Sequence, residues 1–373
     1  MASPGDPTPE TDRRWMRLAI RLARRGMGRV APNPAVGCVL VRDGIVVARA
    51  ATAPSGRPHA EALALSRAGT MARGAAAYVT LEPCAHHGRT PPCTDALIAA
   101  GVRRVVCAVQ DPDPRVNGRG FSRLRAAGIE VEVGVCGEEA ASLTAGFASR
   151  ITRTRPAVTL KLATSSDAMI ATGSGESKWI TGAQARRLGH LLRARHDAIL
   201  TGIGTVLSDD PELTCRLPGL GDRSPLRVVI DTRASLPVTS RLVRTARTVG
   251  VLVMAAPGAE PDRVRGLESH GVEVVECPAG EDGRVRPDGV LHRLAELGLN
   301  DVMLESGGRL AASFLGADCV DRIAWFRAPV VIGGDGLPAI RALGLARLGA
   351  APGFTLDDMR PLGEDTVAYY TLR

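Results

Sequence analysis

Short apolar runs alternate with amphipathic segments along nearly the whole chain. Apolar runs predict strands at 36–41, 76–81, 102–109 and 129–135, and helical spacing of apolar residues predicts helices at 60–68, 94–100 and 120–127. A further helix near the start, capped by Thr11 or Asp12 after a frayed tail at 1–10, would place Trp15, Leu18, Leu22 and Ala23 on one face. This alternation predicts an α/β layer fold with mostly parallel strands.

A second series of the same kind begins after a basic stretch without clear periodicity at 150–156. It predicts strands at 157–163, 198–201, 226–231, 249–254, 272–276, 302–305 and 323–326, with helices at 183–194, 290–297 and 310–315. The last run, at 366–372, alternates between apolar and polar residues and could be an antiparallel edge strand. The sequence therefore predicts two α/β domains, at 1–148 and 149–373.

The composition agrees with two folded domains. The chain has 373 residues, of which 45% are hydrophobic and 23% charged, enough for a sizeable core and unlike a disordered or disulfide-stapled protein. No stretch approaches the roughly 18 apolar residues that a membrane span needs. Eight scattered cysteines do not suggest a disulfide framework, so we expect a reducing, cytoplasmic location.

The charge is strongly biased toward arginine. The formal net charge is +8, and among the 47 basic residues only Lys161 and Lys178 are lysines. Aromatic residues make up only 3%, too few for a base-stacking surface, so the charge argues only weakly for nucleic acid. Arginine side chains also match the geometry of phosphate, which favours a small phosphorylated substrate at least as well.

The sharpest chemical signal is a set of potential metal ligands: His59-Ala-Glu61, Pro83-Cys84 and Pro92-Cys93. One histidine and two cysteines leave a fourth tetrahedral position open for water, which is typical of catalytic rather than structural zinc. Each ligand follows a proline where a helix is predicted to begin, and helix N-termini favour the thiolate that a metal needs. Glu61 is the candidate proton shuttle between water and a leaving amine.

Simpler interpretations exist for each part of this set. The triplet could be an ordinary helix start, and the two cysteines could be unrelated core thiols. Residues two apart on a regular helix do not share a face, so spacing alone cannot place His59 beside Glu61. In this order, however, the residues match the H-x-E…P-C…C signature of zinc-dependent nucleobase deaminases.

The cysteine spacing discriminates within that superfamily. Eight residues separate Cys84 from Cys93, whereas nucleic-acid deaminases usually carry P-C-x-x-C. Three stretches resemble the bifunctional deaminase–reductase family of riboflavin biosynthesis: Pro32-Asn-Pro-Ala-Val-Gly-Cys-Val39, Glu82-Pro-Cys-Ala-His-His-Gly-Arg-Thr-Pro-Pro-Cys93 and Asp111-Pro-Asp-Pro114. The resemblance implies a cytidine-deaminase-like, three-layer α/β/α first domain that deaminates a diaminopyrimidinone carrying a ribosylamino phosphate.

The resemblance also implies roles for individual residues. His59, Cys84 and Cys93 would bind one Zn²⁺ per chain, and Glu61 would be the proton donor and acceptor. The substrate would be contacted by Asn33, His86, Arg89 and Asp111, with Arg89 near the phosphate. Alternatively, Asn33 is a turn residue and the other three belong to a solvated loop, as we expect for His87. Thr52 stands where the family often has histidine and Asp113 where it often has asparagine, which affects substrate contacts rather than the zinc chemistry.

The second domain shows little chemistry by itself. Gly202-Ile-Gly-Thr-Val-Leu207 fails the G-x-G-x-x-G pattern of dinucleotide-binding folds. The pair Gly307-Gly308 follows a predicted strand and opens a helix, so its backbone N–H groups could cradle a phosphate. The pair Gly333-Gly334 is a similar turn, and either pair could also be an ordinary turn.

The family resemblance continues through this half, at 160–165, 175–181, 192–195, 204–211 and 213–216. It implies a dihydrofolate-reductase-like α/β domain that uses NADPH to reduce the ribose to a ribityl chain. By position, NADPH would be contacted by Ala163, Trp179, Thr205, Asp209, Gly307, Gly308, Arg309, Leu310, Ala311, Ala312 and Ser313. The substrate would be contacted by Ser177, Arg193, Leu213, Arg216 and Glu305. Arg309 could meet the cofactor's 2′-phosphate.

Several of these residues have alternative interpretations. Arg193 and Arg216 suit a phosphate but could be solvated charges, Trp179 could be core, and Lys161 could polarise the sugar or be an edge lysine. Ala168 and Met169 replace the family's usual glycine and basic residue in the loop 165–169, and alanine resists backbone shapes that glycine permits.

Three functions remain open at this stage. The leading one is the two-step riboflavin enzyme, acting on a phosphorylated pyrimidine without nucleic acid or membrane partners. A nucleic-acid deaminase is the second, motivated by the positive charge. A binding module with a structural zinc is the third. A homo-oligomer is expected by analogy with similar folds only.

Overall fold

The computed structural model describes residues 8–87 and 91–373 and divides by internal contacts into two units, Met1–Thr154 and Arg155–Arg373. The boundary expected between 148 and 149 lies inside the helix Gly137–Arg153. The stretch 150–156 therefore begins as the last turn of that helix, because Phe147 and Ile151 pack into the N-terminal core. Among the described residues, no helix is long and apolar enough to cross a membrane.

The N-terminal unit is a three-layer α/β/α domain. Its elements are α1 (Pro9–Ala23), β1 (Gly37–Arg42), β2 (Ile45–Ala51), α2 (Ala60–Ala68), β3 (Ala76–Val79), α3 (Cys93–Ala99), β4 (Arg104–Cys107), α4 (Arg119–Ala126), β5 (Glu130–Val133) and α5 (Gly137–Arg153). The sheet order is β2-β1-β3-β4-β5, with β1 antiparallel to both neighbours and the rest parallel. Alternate strand residues face two hydrophobic clusters, one with α2, α3 and α4 and the other with α1 and α5.

Three details of this unit differ from the sequence prediction, and the first is helix α5, over which no helix was predicted. The strand β2 was not predicted, and it pairs with β1 as an antiparallel hairpin. Helix α1 begins earlier than expected, because Thr8 is the cap and its hydroxyl accepts from the Thr11 N–H at 3.3 Å. Asp12 is instead buried, where its carboxylate accepts hydrogen bonds from Tyr78 Oη at 2.7 Å and Arg104 Nη1 at 2.9 Å.

The C-terminal unit is built around a nine-stranded sheet. The strands of this sheet are β6 (Ala157–Thr164), β8 (Ala198–Gly202), β9 (Leu226–Ile230), β10 (Val251–Ala255), β11 (Glu273–Glu276), β12 (Asp301–Leu304), β13 (Arg322–Arg327), β15 (Phe354–Leu362) and β16 (Asp365–Leu372). Two short strands, β7 (Met169–Ala171) and β14 (Leu337–Pro338), pair antiparallel in a separate two-stranded sheet. The helices of the unit are α6 (Ala183–Arg193), α7 (Ile203–Asp209), α8 (Arg241–Arg244), α9 (Pro261–Ser269), α10 (Pro287–Glu296) and α11 (Gly308–Gly316). The large sheet has the order β11-β10-β9-β8-β12-β6-β13-β16-β15.

In the order of the sheet, all strands from β11 through β10, β9, β8, β12 and β6 to β13 are parallel. Strand β16 is antiparallel to both of its neighbours, β13 and β15. The run 366–372 is therefore antiparallel as expected, but it is not the edge, because β15 lies outside it. Most residues of β15 are exposed, so its sequence has no apolar pattern from which a strand could be predicted. Hydrophobic clusters cover both faces of the sheet, and the carboxyl ends of β6, β8, β9 and β12 meet at one edge.

Candidate active sites

The predicted metal ligands converge in the N-terminal unit. His59 Nδ1 lies 3.3 Å from Cys93 Sγ and 3.7 Å from Cys84 Sγ, and all three ligand atoms lie within 4.8 Å of one another. Tetrahedral Zn²⁺ with bonds of about 2.0–2.3 Å requires ligand atoms roughly 3.3–3.8 Å apart. The donor set and its spacing therefore fit zinc, with three protein ligands rather than four.

The start of helix α2 explains how His59 and Glu61 can face the same place. His59 is the N-cap of α2 and has an extended backbone, with φ −66° and ψ 158°. The objection that residues two apart on a helix do not share a face applies only when both are helical. The Glu61 side chain hydrogen-bonds with Cys93, so ligand and candidate proton shuttle meet.

The two cysteines use one helix terminus. Cys93 is the first residue of α3 and follows Pro92, as predicted, but no helix begins at Cys84. Instead the backbone N–H of Cys93 donates to Cys84 Sγ at 3.3 Å. Hydrogen bonding from Cys93, aided by His59, lowers the pKa of Cys84 to about 4. The side chains of Cys93 and His59 thus favour the thiolate form of Cys84, which is the form that binds a metal, and the backbone N–H at the start of α3 adds to this effect.

Glu61 is buried beside the metal ligands, in a position suited to proton transfer. The residue is only 4% exposed, and burial followed by the charge of Cys84 raises its pKa to about 7. A carboxyl group that titrates near neutral pH can both accept a proton and return it.

The predicted substrate residues surround this centre in different ways. The Asn33 amide donates to the Gly56 carbonyl at 2.6 Å. The Nδ1 atom of His86 is buried and has no hydrogen-bond partner among the described residues, so it is available to a ligand. Asp111 is buried, and its burial raises its pKa to about 6. Arg89 lies outside the described residues, and His87 is exposed.

The two unusual residues have visible partners. Thr52 Oγ1 accepts from the Val36 N–H at 3.0 Å and donates to the Pro34 carbonyl at 3.2 Å, so it holds the segment after Asn33. Asp113 accepts from Arg115 Nε at 3.0 Å and Nη2 at 2.5 Å. This guanidinium lowers the pKa of Asp113 and pairs the charge that an asparagine would not carry.

The C-terminal unit contains a large cavity of about 1410 Å³ at the carboxyl edge of its parallel strands. Most predicted reductase residues line it: Ala163, Ser177, Trp179, Arg193, Thr205, Asp209, Arg216, Glu305, Gly307, Gly308, Arg309, Leu310 and Ser313. Leu213, Ala311 and Ala312 do not line it, because their side chains are buried, Leu213 and Ala311 within the two clusters that cover the sheet. Gly307 is the N-cap of α11, so free N–H groups of this helix face the cavity.

Three charged residues form an ion cluster at this edge of the sheet. Glu305 follows β12 and accepts from Lys161 Nζ at 3.1 Å and from Arg193 Nη2 at 3.0 Å. Burial raises the pKa of Glu305, but Arg193 and Lys161 outweigh it and hold the pKa at about 2. Lys161 is therefore no edge lysine, and Arg193 is paired with a carboxylate rather than a free solvated charge.

The exposure of Trp179 and Arg216 decides between the alternative interpretations of these two residues. Trp179 is 69% exposed and stacks with Arg186, whose Cζ lies 4.8 Å from the ring centroid, so it is not core. Arg216 is half exposed and pairs with Glu212 at 3.2 Å.

Sequence reasoning missed further residues at both sites. Glu82, beside the ligand Cys84, is buried and binds backbone N–H groups of a distant loop. The cavity is also lined by Asp231, Thr232, Arg233 and Ser235, which follow β9. The position of this segment after an apolar strand was an available signal, because ligands bind at the carboxyl ends of parallel strands. Asp231 is buried, and its Oδ2 has no hydrogen-bond partner among the described residues.

Comparison with known proteins gives matches along both units. Residues 9–109 match the family model described as the cytidine and deoxycytidylate deaminase zinc-binding region. Residues 156–368 match the RibD C-terminal domain. The riboflavin biosynthesis protein RibD of Aquifex aeolicus is 40% identical over 97% of this chain and 98% of its own length, and that of Escherichia coli is 41% identical over 95% and 97%.

Solved structures of similar proteins cover the same length. Acinetobacter baumannii RibD aligns with a TM-score of 0.87 at 38% identity, over 98% of this chain and all of that protein. A diaminohydroxyphosphoribosylaminopyrimidine deaminase/5-amino-6-(5-phosphoribosylamino)uracil reductase from Thermotoga maritima aligns with a TM-score of 0.85 at 34% identity, over 98% and 99%.

Proposed function

This chain belongs to the RibD family of riboflavin biosynthesis and is a bifunctional deaminase and reductase, and from that premise we propose its substrate and the roles of its residues. The first step converts 2,5-diamino-6-(5-phosphoribosylamino)pyrimidin-4-one into 5-amino-6-(5-phosphoribosylamino)uracil with release of ammonia. The second reduces the ribose of that product to a ribityl chain with NADPH. The observation that carries the proposal is the convergence of His59, Cys84 and Cys93 beside the buried Glu61.

In the deaminase unit, Met1–Thr154, His59, Cys84 and Cys93 hold the metal. Zinc supplies, when bound there, a Lewis acid that lowers the pKa of a coordinated water to about 7. Glu61 accepts a proton from the attacking water and delivers it to the departing amine, so that the ring carbon exchanges its C–N bond for a C–O bond. Its burial and its raised pKa support this role.

Asn33, His86, Arg89 and Asp111 bind the substrate. The Nδ1 of His86, which has no hydrogen-bond partner in the described parts of the chain, supports this role, because a buried polar atom costs free energy until a ligand satisfies it. Asp111 is buried, and its N–H donates to Glu82, two residues before Cys84, at 3.2 Å, which supports a contact with the substrate ring near the metal site.

In the reductase unit, Arg155–Arg373, the cofactor supplies hydride and the chain supplies orientation. The N-terminus of α11, from Gly307 to Arg309, binds the cofactor's phosphates through backbone N–H groups. Ala163, Trp179, Thr205, Asp209, Leu310 and Ser313 contact the rest of the cofactor, and Ser177, Arg193, Arg216 and Glu305 contact the substrate. The cavity volume and these linings support the assignment.

The Glu61→Gln variant tests the proposal, and the reductase activity of the same chain serves as the internal control. We expect deamination of the diaminopyrimidinone to be lost, while bound zinc and NADPH-dependent reduction of the deaminated product are retained. Glu132→Gln removes an exposed glutamate of the same unit and should change neither step. Deamination at the parent rate in Glu61→Gln would overturn the assignment.

Finer properties of the enzyme belong to the same proposal. It is a cytoplasmic homo-oligomer that binds a small phosphorylated substrate and no nucleic acid. The thiols support a reducing compartment, since all eight cysteines are free. Sedimentation analysis tests the oligomer, and a salt titration with single-stranded RNA tests nucleic-acid binding, which would give a steep salt dependence.

A further inference from the structure

Glu82 is a buried carboxylate that ties two separate segments of the N-terminal unit together. It is 3% exposed and stands two residues before the metal ligand Cys84. Its oxygens accept hydrogen bonds from backbone N–H groups of the loop before α4 and of the first turn of α4: Asp111 at 3.2 Å, Gly118 at 2.9 Å, Gly120 at 2.8 Å and Phe121 at 3.3 Å. None of these donors is a side chain, so the contact fixes the backbone of the loop itself.

This carboxylate does the work of a helix cap. The N-cap of α4 is Gly118, which has no side chain to satisfy the first N–H groups of the helix. Glu82 accepts from Gly120 and Phe121, the second and third residues of α4, which are the positions that an N-cap side chain normally serves. A negative charge at a helix N-terminus is also electrostatically favourable.

The start of α4 and the segment 82–84 approach so closely that no side chain fits between them. A Cβ added at Gly120 would lie 2.3 Å from the Pro83 carbonyl oxygen and 3.0 Å from Glu82 Oε1. Only glycine fits there, so the start of α4 packs directly against the segment that carries Cys84. Glu82 therefore fixes the position of the loop before α4 relative to the segment that carries the metal ligand Cys84.

We propose that Glu82 is a positioning residue for deamination, which sets the place of Asp111 relative to the metal ligands. This inference rests on the substrate role proposed above for Asp111. The N–H of Asp111 donates directly to Glu82 Oε2. The Asp111 carboxylate is held within the same loop, because its Oδ1 accepts from the Asp113 N–H at 2.8 Å. Moving the loop would move the Asp111 carboxylate away from the bound ring without touching a metal ligand.

The Glu82→Gln variant tests this role. Glutamine keeps the shape but offers one acceptor oxygen and turns an amide donor toward backbone donors. We expect full zinc content, normal reduction of the deaminated product, and a KM for the diaminopyrimidinone raised about ten- to hundredfold, the factor for one charge-assisted hydrogen bond left unmade. The rate at saturation should change much less. Glu132→Gln is the matched control for loss of charge.

A double-mutant cycle with Asp111→Asn separates positioning from general damage. If Glu82 acts through Asp111, each single variant raises KM and the double variant raises it little further. Fully additive effects, an unchanged KM in Glu82→Gln, or loss of zinc from that variant would overturn the proposal. An unchanged KM in Asp111→Asn would instead refute the substrate role of Asp111, and with it this proposal.

Glu82→Asp keeps the test decisive if the glutamine variant does not fold. Aspartate keeps the charge but is one methylene shorter, so it can reach only part of the donor set. With full zinc content, it should show a KM between those of the parent and Glu82→Gln. A parent-like KM in Glu82→Asp would count against positioning by these hydrogen bonds.

Discussion

Ala168 occupies a backbone conformation that favours glycine. Its φ is +66°, in the left-handed region, at the position where the family resemblance leads us to expect glycine. The surrounding turn holds it there: Ser165 Oγ donates to Asp167 Oδ1 at 2.6 Å and accepts from the Met169 N–H at 2.9 Å. Asp167 in turn accepts from the Gly333 N–H at 2.7 Å, so the turn is tied to a second loop.

The substitution Ala168→Gly should therefore stabilise the C-terminal unit. A left-handed conformation costs an L-residue such as alanine about 1–2 kcal/mol in the folded state. Replacing alanine by glycine removes this strain but costs about 0.4–1 kcal/mol, because glycine raises the conformational entropy of the unfolded chain. The net gain in the free energy of unfolding is about 0–1.6 kcal/mol, with a midpoint of about 0.8 kcal/mol. Because the hydrogen bonds of the turn do not involve the Ala168 side chain, reductase activity should change less than about twofold.

Urea unfolding followed by tryptophan fluorescence measures this gain. In a Trp15→Phe background the signal comes only from Trp179 and Trp325, both in the C-terminal unit, so its transition is followed separately. Ala295→Gly makes the same chemical change inside helix α10 and should destabilise by up to about 1 kcal/mol. A midpoint for Ala168→Gly equal to or below that of the parent would refute the argument from backbone strain.

Three further predictions concern charges and metal. Arg115→Ala leaves the buried Asp113 carboxylate unpaired and should destabilise the N-terminal unit by about 1–3 kcal/mol; adding Asp113→Asn should recover most of this in thermal melts, and no recovery would contradict the pairing. Because the pKa of Glu305 is lowered, its ionised form stabilises the fold above pH 4.5, and this contribution is lost as the pH falls toward about 2. Glu305→Gln should therefore remove that part of the acid dependence of the free energy of unfolding. An unchanged acid profile in unfolding curves would contradict this prediction. Chelation of zinc should abolish deamination but spare reduction of the deaminated product, since the ligands lie only in the N-terminal unit; parallel loss of both activities would argue against this separation.

Local sequence pattern was sufficient for most of the secondary structure and for naming the candidate metal ligands that the structure brings together. The helix predicted at 60–68 is α2 with the same bounds, because its apolar positions, its cap position and its terminal glycine all lie within one short segment. Strand β15 could not be predicted in this way, because its exposed side chains carry no apolar alternation and its hydrogen bonds come from β16. The cap of α1 was also misassigned, since Asp12 has a buried partner distant in sequence, Arg104.

The sequence by itself determined the chemistry available: one histidine, two cysteines and a glutamate in a recognisable order, followed by an alternating α/β pattern that ends strands near glycine pairs. Only the tertiary structure decided how these residues act. It made His59 a helix cap that can face Glu61, brought the α3 terminus to Cys84, and set Glu82 as the cap of α4. The physical reason is that periodicity and caps depend on neighbours in the chain, whereas burial, pKa and long-range hydrogen bonds depend on neighbours in space.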